Sequence, residues 1–361
     1  LKDIYGMVKS YNSDALMICE HLAENAEEKE LANHGMLMWG NMEHNYAEMA
    51  FGNTGSSANV GSADYKARGF AYPNLVPYME SHDEQRINYK LGAYSSFTHD
   101  QRLDRIAMAA SFYVPLKGPR MLWQFQELGY DISIDENGRT GRKPVRWDYY
   151  DDADRRDLFA YFSLMNNAKS NNDVFRTNDY DFNVNAENGY GQMKRLAMYT
   201  PDGNDVVIIG NTSATETGYI TPNFSETGTW YDVINGGTIQ VNDLSNAFML
   251  QPGEFRMYSL NPLKLDVFWT GKGADNYWSN PENWNIGQVP NTVADVIIPD
   301  SATVTVASGN TAVCENLNVR PNATLYVESS ANLNVSGTTT LEEDETGKGE
   351  VVYNKSTSKT T

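Results

Sequence analysis

The spacing of apolar residues divides the chain into regions, and the first region alternates between helical and strand patterns. Apolar side chains at helical spacing predict helices near 1–11, 25–34, 98–114 and 153–169. Short continuous apolar runs of the buried-strand type occur at 15–19, 36–39, 75–79 and 119–124. Asn25 with Glu28, and Thr98 with Gln101, have the spacing of capping boxes at helix starts. Strands alternating with helices predict parallel βαβ units, and we expect an α/β region over residues 1–168.

The second region, 169–262, has the pattern of an antiparallel β domain. Strand-like runs at 194–200 and 205–210 flank Asp202-Gly203, a dipeptide typical of hairpin turns. A third region, 266–345, is rich in Thr and reads as a β-rich accessory module. Asn-Leu-Asn-Val occurs there at 316–319 and again sixteen residues later at 332–335, which suits a stacked, solenoid-like repeat. Residues 346–361 form a polar tail with no predicted element.

Composition and charge exclude several classes of partner. The 361 residues carry a formal charge of −19, whereas nucleic-acid binding requires a basic surface. No apolar run reaches the roughly 18 residues that a membrane span needs. The two cysteines, Cys19 and Cys314, lie far apart and predict neither a disulfide framework nor a metal site.

Acidic residues recur at the predicted strand ends of the first region. The first strand ends in Glu20-His21, the third in Glu80-Ser-His-Asp83, and the fourth runs into Glu127. If the region is a β/α barrel, these ends meet at one face, where such barrels carry their active sites. Glycoside hydrolysis needs carboxyl groups on either side of one glycosidic bond, one of them as proton donor. The pattern therefore indicates glycoside chemistry.

Three segments resemble the alpha-amylase family of glycoside hydrolases (family 13). Tyr78–Arg86 is similar to the motif that follows the family's seventh barrel strand, 17–21 followed by 26–31 to its fifth-strand segment, and 118–129 to its eighth-strand segment. The stretches at 137–144 and 146–148 are similar to those of bacterial amylase-like enzymes. The resemblance spans about residues 1–262. It implies the C-terminal half of a (β/α)8 barrel followed by an antiparallel β-sandwich domain.

The resemblance also implies roles for individual residues. Glu20 corresponds to the general acid/base, Asp83 to the transition-state stabiliser, and His82 to a residue that hydrogen-bonds the same sugar. Ser81 stands where the family usually has Asn. The family's nucleophilic Asp follows the fourth barrel strand, and no such strand precedes Glu20. We therefore expect a fragment that begins after that strand and is inactive alone.

Other candidates have an ordinary structural alternative. His21, Trp39 and Glu127 are expected to contact substrate, although a strand tryptophan more often packs in a core and Glu127 could pair with an arginine. His34, His44 and His99 lack metal-ligand spacing and are expected to be packing or surface residues. The cluster Trp269, Trp278 and Trp284 is expected to form the core of the third region, with a sugar platform as the alternative.

The expected substrate is an α-glucan of the starch or glycogen type, handled with retention of configuration. No cofactor is evident. Calcium, where the family binds it, would be held by residues that are not in this chain. Residues 269–290 resemble the start of repetitive β modules on exported bacterial proteins, which implies an extracellular or cell-surface location. The rival interpretation is a non-catalytic carbohydrate-binding or adhesin-like surface protein.

Overall fold

The computed structural model of the chain describes residues 1–186 and 191–354. The chain divides into two compact units, each assembled from three stretches. The first unit comprises Leu1–Phe159, Asp173–Gly228 and Val241–Met257, and the second comprises Ala160–Asn172, Thr229–Gln240 and the chain from Tyr258 onward. Residues 355–361 of the predicted polar tail lie outside the described part.

The described residues form six α-helices, of which those over 43–51 and 87–94 were not predicted. They are α1 (Lys2–Tyr11), α2 (Asn25–Asn33), α3 (Glu43–Phe51), α4 (Ile87–Tyr94), α5 (His99–Ser111) and α6 (Ala153–Asn171). Short 3-10 helices lie at Ser56–Ala58, Gly61–Ala63, Gln126–Leu128, Trp147–Asp151, Asp173–Arg176 and Pro281–Asn283. The capping box of α5 is confirmed, since the Thr98 side chain accepts from the Gln101 N–H and the Gln101 side chain accepts from the Thr98 N–H. No helix in the described ranges is long and apolar enough to cross a membrane.

The expected cap of α2 is wrong. The helix already includes Asn25, and the residue before it, Glu24, makes no capping hydrogen bond through its side chain. The Asn25 side chain instead exchanges two hydrogen bonds with Arg68, at 3.0 Å to its carbonyl oxygen and 2.6 Å from its Nε. Arg68 also pairs with Glu28, the residue that the capping box required. A long-range arginine has therefore taken both partners of the expected local motif.

Three parallel strands organise the first unit. They are β1 (Ile18–Cys19), β2 (Leu37–Asn41) and β3 (Leu75–Tyr78), in the order β1-β2-β3. Helix α2 packs against this sheet, burying a cluster that includes Cys19, Leu31, Met36, Met38 and Leu75. Because parallel strands share a direction, the residues after β1, β2 and β3 lie along one edge of the sheet.

The expected fourth strand, 119–124, is reduced to one parallel bridge between Met121 and Tyr78. Pro119 has no N–H to offer a ladder, and the Met121 N–H donates to the Pro77 carbonyl at 3.3 Å. The buried Tyr113 hydroxyl lies 2.7 Å from the carbonyl oxygens of both Pro77 and Met121. A side chain thus takes the place of a strand ladder. The arrangement of these elements as half of a closed barrel stays a prediction.

The middle of the chain forms antiparallel strands: β4 (Tyr180–Asn183), β5 (Met193–Met198), β6 (Val206–Asn211), β7 (Gly218–Ile220), β8 (Gly228–Asp232), β9 (Thr238–Val241), β10 (Phe248–Leu250) and β11 (Phe255–Ser259). The predicted hairpin of β5 and β6 is present, and its turn residue Gly203 has a φ of 73°. Such a positive φ is a conformation that glycine adopts at little cost. The two faces of a β-sandwich stay a prediction.

The second unit contains a parallel β-solenoid. Its strands are β12 (Asp266–Phe268), β13 (Asp295–Ile298), β14 (Thr303–Val306), β15 (Thr311–Cys314), β16 (Asn316–Val319), β17 (Thr324–Val327), β18 (Asn332–Val335), β19 (Thr339–Leu341), β20 (Glu343–Asp344), β21 (Gly347–Lys348) and β22 (Glu350–Tyr353). They stack as β12-β13-β16-β19, β14-β17-β22 and β15-β18. The last two strands, β21 and β22, lie in the segment 346–361, for which the sequence pattern predicted no element.

The length of one solenoid coil differs from the expected repeat. Asp295 faces Asn316, Thr303 faces Thr324 and Thr311 faces Asn332, an offset of 21 residues on all three faces. The two Asn-Leu-Asn-Val segments, β16 and β18, therefore belong to different faces of one coil. Their similarity reflects a shared inward-outward alternation, not a shared place in the stack.

Candidate active-site edge

A buried ion pair fixes the loop that follows β3. Glu80 and Arg86, only 2% and 5% exposed, meet with Oε2 and Nη1 2.8 Å apart. The second carboxylate oxygen of Glu80 accepts a hydrogen bond from the Ile87 N–H at 2.8 Å, at the first turn of α4. Glu80 therefore fixes both ends of the loop 81–85, which we call the clamped loop. This loop carries His82 and Asp83.

The same arginine ties this loop to the segment that follows the Met121 bridge. Arg86 Nη2 donates to the Gln124 carbonyl at 2.9 Å, and its guanidinium lies 4.6 Å from the centre of the Tyr130 ring. Gln85 bonds to Ser133 and accepts from the Ile134 N–H. These contacts desolvate the guanidinium and satisfy it, which a buried charge requires.

Glu20 and Asp83 converge electrostatically on one phenol. Burial, the largest cause, acts together with the negative charges of Glu84, Glu20 and Asp83, in that order of size, to raise the pKa of Tyr78 to about 12. Glu20 follows β1 directly, and Asp83 follows β3 in the clamped loop. Among the described residues, no hydrogen bond or ion pair engages the Glu20 carboxylate, and the residue is exposed. The structure thus brings the two sequence-predicted carboxylates to the same edge.

His82 stands between two indoles at this edge. Its ring centroid is 6.2 Å from that of Trp39 and 5.6 Å from that of Trp123. Its Nε2 lies 3.3 Å from Asp83 Oδ2, and both side chains remain about half exposed, at 47% and 58%. Trp39 also packs edge-on against Tyr78. The site thus has apolar ring surfaces beside polar groups. A sugar is complementary to it, because a pyranose ring has an apolar face and polar hydroxyl groups.

A cleft of about 430 Å³ opens beside His82 and Asp83. Its wall includes Trp123, Arg139 and Arg142. Arg139 donates to the Asp83 carbonyl oxygen, which joins this wall to the clamped loop. In the sequence, the 137–144 segment was noted only for its family resemblance. Its contact with Asp83 was not predicted, because the two residues are more than fifty positions apart.

His21 and Glu127, which were both expected to contact substrate, do not line this cleft. His21 Nε2 lies 2.9 Å from Glu27 Oε1 on α2. Glu127 sits in the 3-10 helix Gln126–Leu128 and lines no part of the cleft beside Asp83. Burial is the main cause of its raised pKa, and the nearby Glu80 charge adds to it. No ion pair joins Glu127 to an arginine among the described side chains.

A second layer of acidic groups lies under the edge. Glu84 Oε1 accepts a hydrogen bond from Asn41 Nδ2 at 2.6 Å, so the end of β2 holds the β3 loop as well. Glu43, on the first turn of α3, is 3% exposed and pairs with Lys90 at 2.6 Å. Burial outweighs this pairing and raises the pKa of Glu43 to about 7, with small contributions from Glu84 and Glu80. These groups were not predicted from sequence, since single Glu and Asn residues carry no motif.

One group of side chains could approach a metal ion within the described ranges. His99, Asp152 and Asp154 bring ligand atoms within 4.8 Å of one another. Asp152 Oδ1 already accepts a hydrogen bond from the Arg155 N–H at the start of α6, and His99 Nε2 lies 3.6 Å from the same oxygen. Helix capping and this pairing account for the cluster without an ion.

Comparison with known proteins places the fold. A family model described as "Domain of unknown function (DUF8693)" matches residues 268–355. No curated protein matches the sequence. The solved structures that match include the alpha-amylase from Geobacillus thermoleovorans crystallised with acarbose, at 15% identity and a TM-score of 0.55, covering 72% of this chain and 56% of that one.

Two further structures agree. The Anoxybacillus alpha-amylase is 14% identical with a TM-score of 0.52, over 72% of this chain and 55% of that one. The gamma-CGTase from alkalophilic Bacillus clarkii is 12% identical with a TM-score of 0.56, over 74% and 39%. The chain resembles alpha-amylase-type glycosidases in fold. It spans about half the length of the two amylases.

The buried Glu80–Arg86 ion pair predicts how substitutions at these two residues change the free energy of unfolding. Arg86→Met should destabilise the first unit by about 3–5 kcal/mol, because it leaves the Glu80 carboxylate buried without a counter-charge. Glu80→Gln combined with Arg86→Met should recover part of this loss, since the charge is gone and the amide oxygen still accepts from Ile87. Urea unfolding of the three proteins measures the effect. Equal losses in the single and double variants would show that the charge is not what matters.

Glu43 predicts a pH dependence. Its pKa is about 7 in the folded state and 4.5 ordinarily, so the unfolded chain releases this proton first as pH rises. The free energy of unfolding should therefore fall between about pH 4.5 and 7 through this group. In Glu43→Gln that component is absent, so the variant should gain stability relative to the unmodified chain over this window. Thermal melts at pH 5 and pH 8 test it, and a difference that does not change with pH would contradict it.

Proposed function

We propose that the first unit is part of the catalytic region of a retaining glycoside hydrolase that acts on α-glucans. The observation that carries the proposal is the convergence of Glu20 and Asp83, from the ends of β1 and β3, on the buried phenol of Tyr78. The fold similarity to alpha-amylase-type glycosidases supports it. One of those structures was solved with acarbose, and a further matching structure, AmyP, at 15% identity and a TM-score of 0.53, was solved with maltose. Both support an oligosaccharide as the ligand class.

In this proposal Glu20 is the general acid and then the general base. A proton donor must reach the glycosidic oxygen, and Glu20 is exposed without a competing ion pair among the described residues. Protonating the leaving oxygen makes the sugar a better electrophile, and the resulting carboxylate can later activate water.

Asp83 and His82 hold the sugar whose bond is cleaved. The Asp83 N–H donates to Ser81 Oγ at 3.1 Å, so the serine that stands in the family's Asn position braces the loop internally. The Asp83 carboxylate remains available to sugar hydroxyl groups, and its charge stabilises a developing oxocarbenium ion. Trp39 and Trp123 would cover the apolar face of the ring.

Retention requires a second carboxylate about 5–5.5 Å from the acid/base group. Glu80 is occupied by Arg86, and Glu84 accepts from Asn41. Within the described part of the chain β1 pairs on one side only, with β2. Leu16 and Ile18 are 77% and 49% exposed there. We assign the nucleophile to an Asp on a further strand that would pair with this open side of β1. An extracellular or cell-surface location belongs to the same proposal.

Residues 1–361 alone should release no reducing ends from soluble starch, because the proposed nucleophile is missing from this stretch. A longer chain that supplies the further strand should be active. Reducing-end assays on both chains test the assignment, and measurable turnover by residues 1–361 would overturn it.

In the longer chain, Glu20→Gln should lower kcat by about 10²–10⁴-fold while largely sparing the binding of maltotriose, because the amide keeps shape but delivers no proton. Glu24→Gln is the matched control, since Glu24 is an exposed carboxylate four residues away whose side chain caps nothing. Initial rates and calorimetric titration separate the two effects. An undiminished kcat in Glu20→Gln would remove this residue from the mechanism.

A further inference from the structure

One face of the solenoid carries two exposed tyrosines in a single row. Along β14, β17 and β22, Thr305 faces Tyr326 and Tyr326 faces Val352. An isolated parallel bridge adds Tyr277 beside Thr305. Val304 and Val306 are buried, so alternation turns Thr305 and its partners outward. The outward row therefore runs Tyr277, Thr305, Tyr326, Val352, across the strands and along the stack.

The row has the form of a platform. Tyr277 is 40% exposed and Tyr326 is 37% exposed, whereas Thr305 between them is only 8% exposed although it faces outward. Two strand spacings separate the tyrosines, which is about 9.5 Å. The backbone positions of the two tyrosines are thus separated by about the length of two consecutive pyranose units of an extended chain, with a small residue between them.

The charge around the row selects against ionic ligands. The outward positions of β14, β17 and β22 carry no basic side chain; they are Thr303, Thr305, Thr324, Tyr326, Glu350 and Val352. Asp275 precedes Tyr277 closely, and Glu350 lies at the far margin. With a formal charge of −19 on the whole chain, an anionic polymer would be repelled. A neutral ligand rich in hydroxyl groups would find the exposed Glu350 carboxylate as an acceptor at one margin.

The three tryptophans near the start of the solenoid are buried and cannot contact a ligand on its surface. Trp269, Trp278 and Trp284 are 6%, 2% and 2% exposed and pack edge-on at 5.0 and 4.8 Å. The expectation that they form a core is confirmed. The exposed aromatic side chains of the solenoid are Tyr277, Tyr326, Tyr353 and Phe268, and not these indoles.

We propose that the row Tyr277–Thr305–Tyr326 binds an extended, uncharged, β-linked polysaccharide, with sugar rings stacked on the two tyrosines. A straight ladder on a sheet face suits a ribbon-like chain, since both rings can be contacted without bending it. A coiled α-glucan would leave one tyrosine unused. The site belongs to the second unit and does not depend on the catalytic proposal for the first.

The test is co-sedimentation of residues 1–361 with microcrystalline cellulose, with starch granules in parallel. Tyr277→Ala and Tyr326→Ala should each weaken binding to cellulose by roughly tenfold, and the double variant should abolish retention, because each removes one stacking surface. Tyr326→Trp should retain binding. Tyr353→Ala is the matched control, since Tyr353 is 59% exposed in the same module but stands in register with the inward Val327.

Three results would overturn the proposal: no retention on either polysaccharide, retention on starch but not on cellulose, or full retention by the double variant. Circular dichroism of each variant shows whether the solenoid is intact. Asp83→Asn should leave cellulose binding unchanged. If the catalytic assignment of the first unit is wrong, the cellulose-binding result is unaffected. If the cellulose-binding proposal is wrong, the catalytic assignment is unaffected.

Discussion

The ion pair between Glu80 and Arg86 is the constraint on which the candidate active-site edge depends. Neither group could be buried alone, since an unpaired charge in a protein interior is strongly destabilising. Each charge is therefore stabilised by the other. Arg86 also contacts the Gln124 carbonyl and the Tyr130 ring. The five residues between them are thereby held at both ends. His82 and Asp83 owe their positions to this pair, not to a long strand or helix.

Crowding of negative charge is the second property of this edge. Glu20, Asp83 and Glu84 all act on Tyr78, and Glu43 lies behind them with a carboxyl whose pKa is near neutrality. Burial is the main cause of the raised Glu43 pKa, and the negative charges of Glu84 and Glu80 add to it.

The sequence pattern predicted the elements better than the contacts between them. The α5 capping box and the β5–β6 hairpin follow from residues three or four apart, and both are present. The α2 cap and the fourth strand failed because Arg68 and Tyr113 reach in from distant segments. At the candidate site, Glu20 and Asp83 were recognisable from motif context. The Asn41–Glu84 bond and the Arg139 contact were not, because nothing local marks a partner more than forty residues away.

The solenoid coils differ in how much chain they use at their corners. The offset is 21 residues at Thr303–Thr324 but grows to 26 at Thr324–Glu350, and the extra chain forms the β20–β21 hairpin. The strand register survives this change, because the added residues leave the stack and return to it. A gene encoding this unit can therefore gain or lose codons at a corner while the ladders stay in phase. A single codon lost within β17 would instead turn Leu325 outward and Tyr326 inward, so selection should act on length very unevenly along the unit.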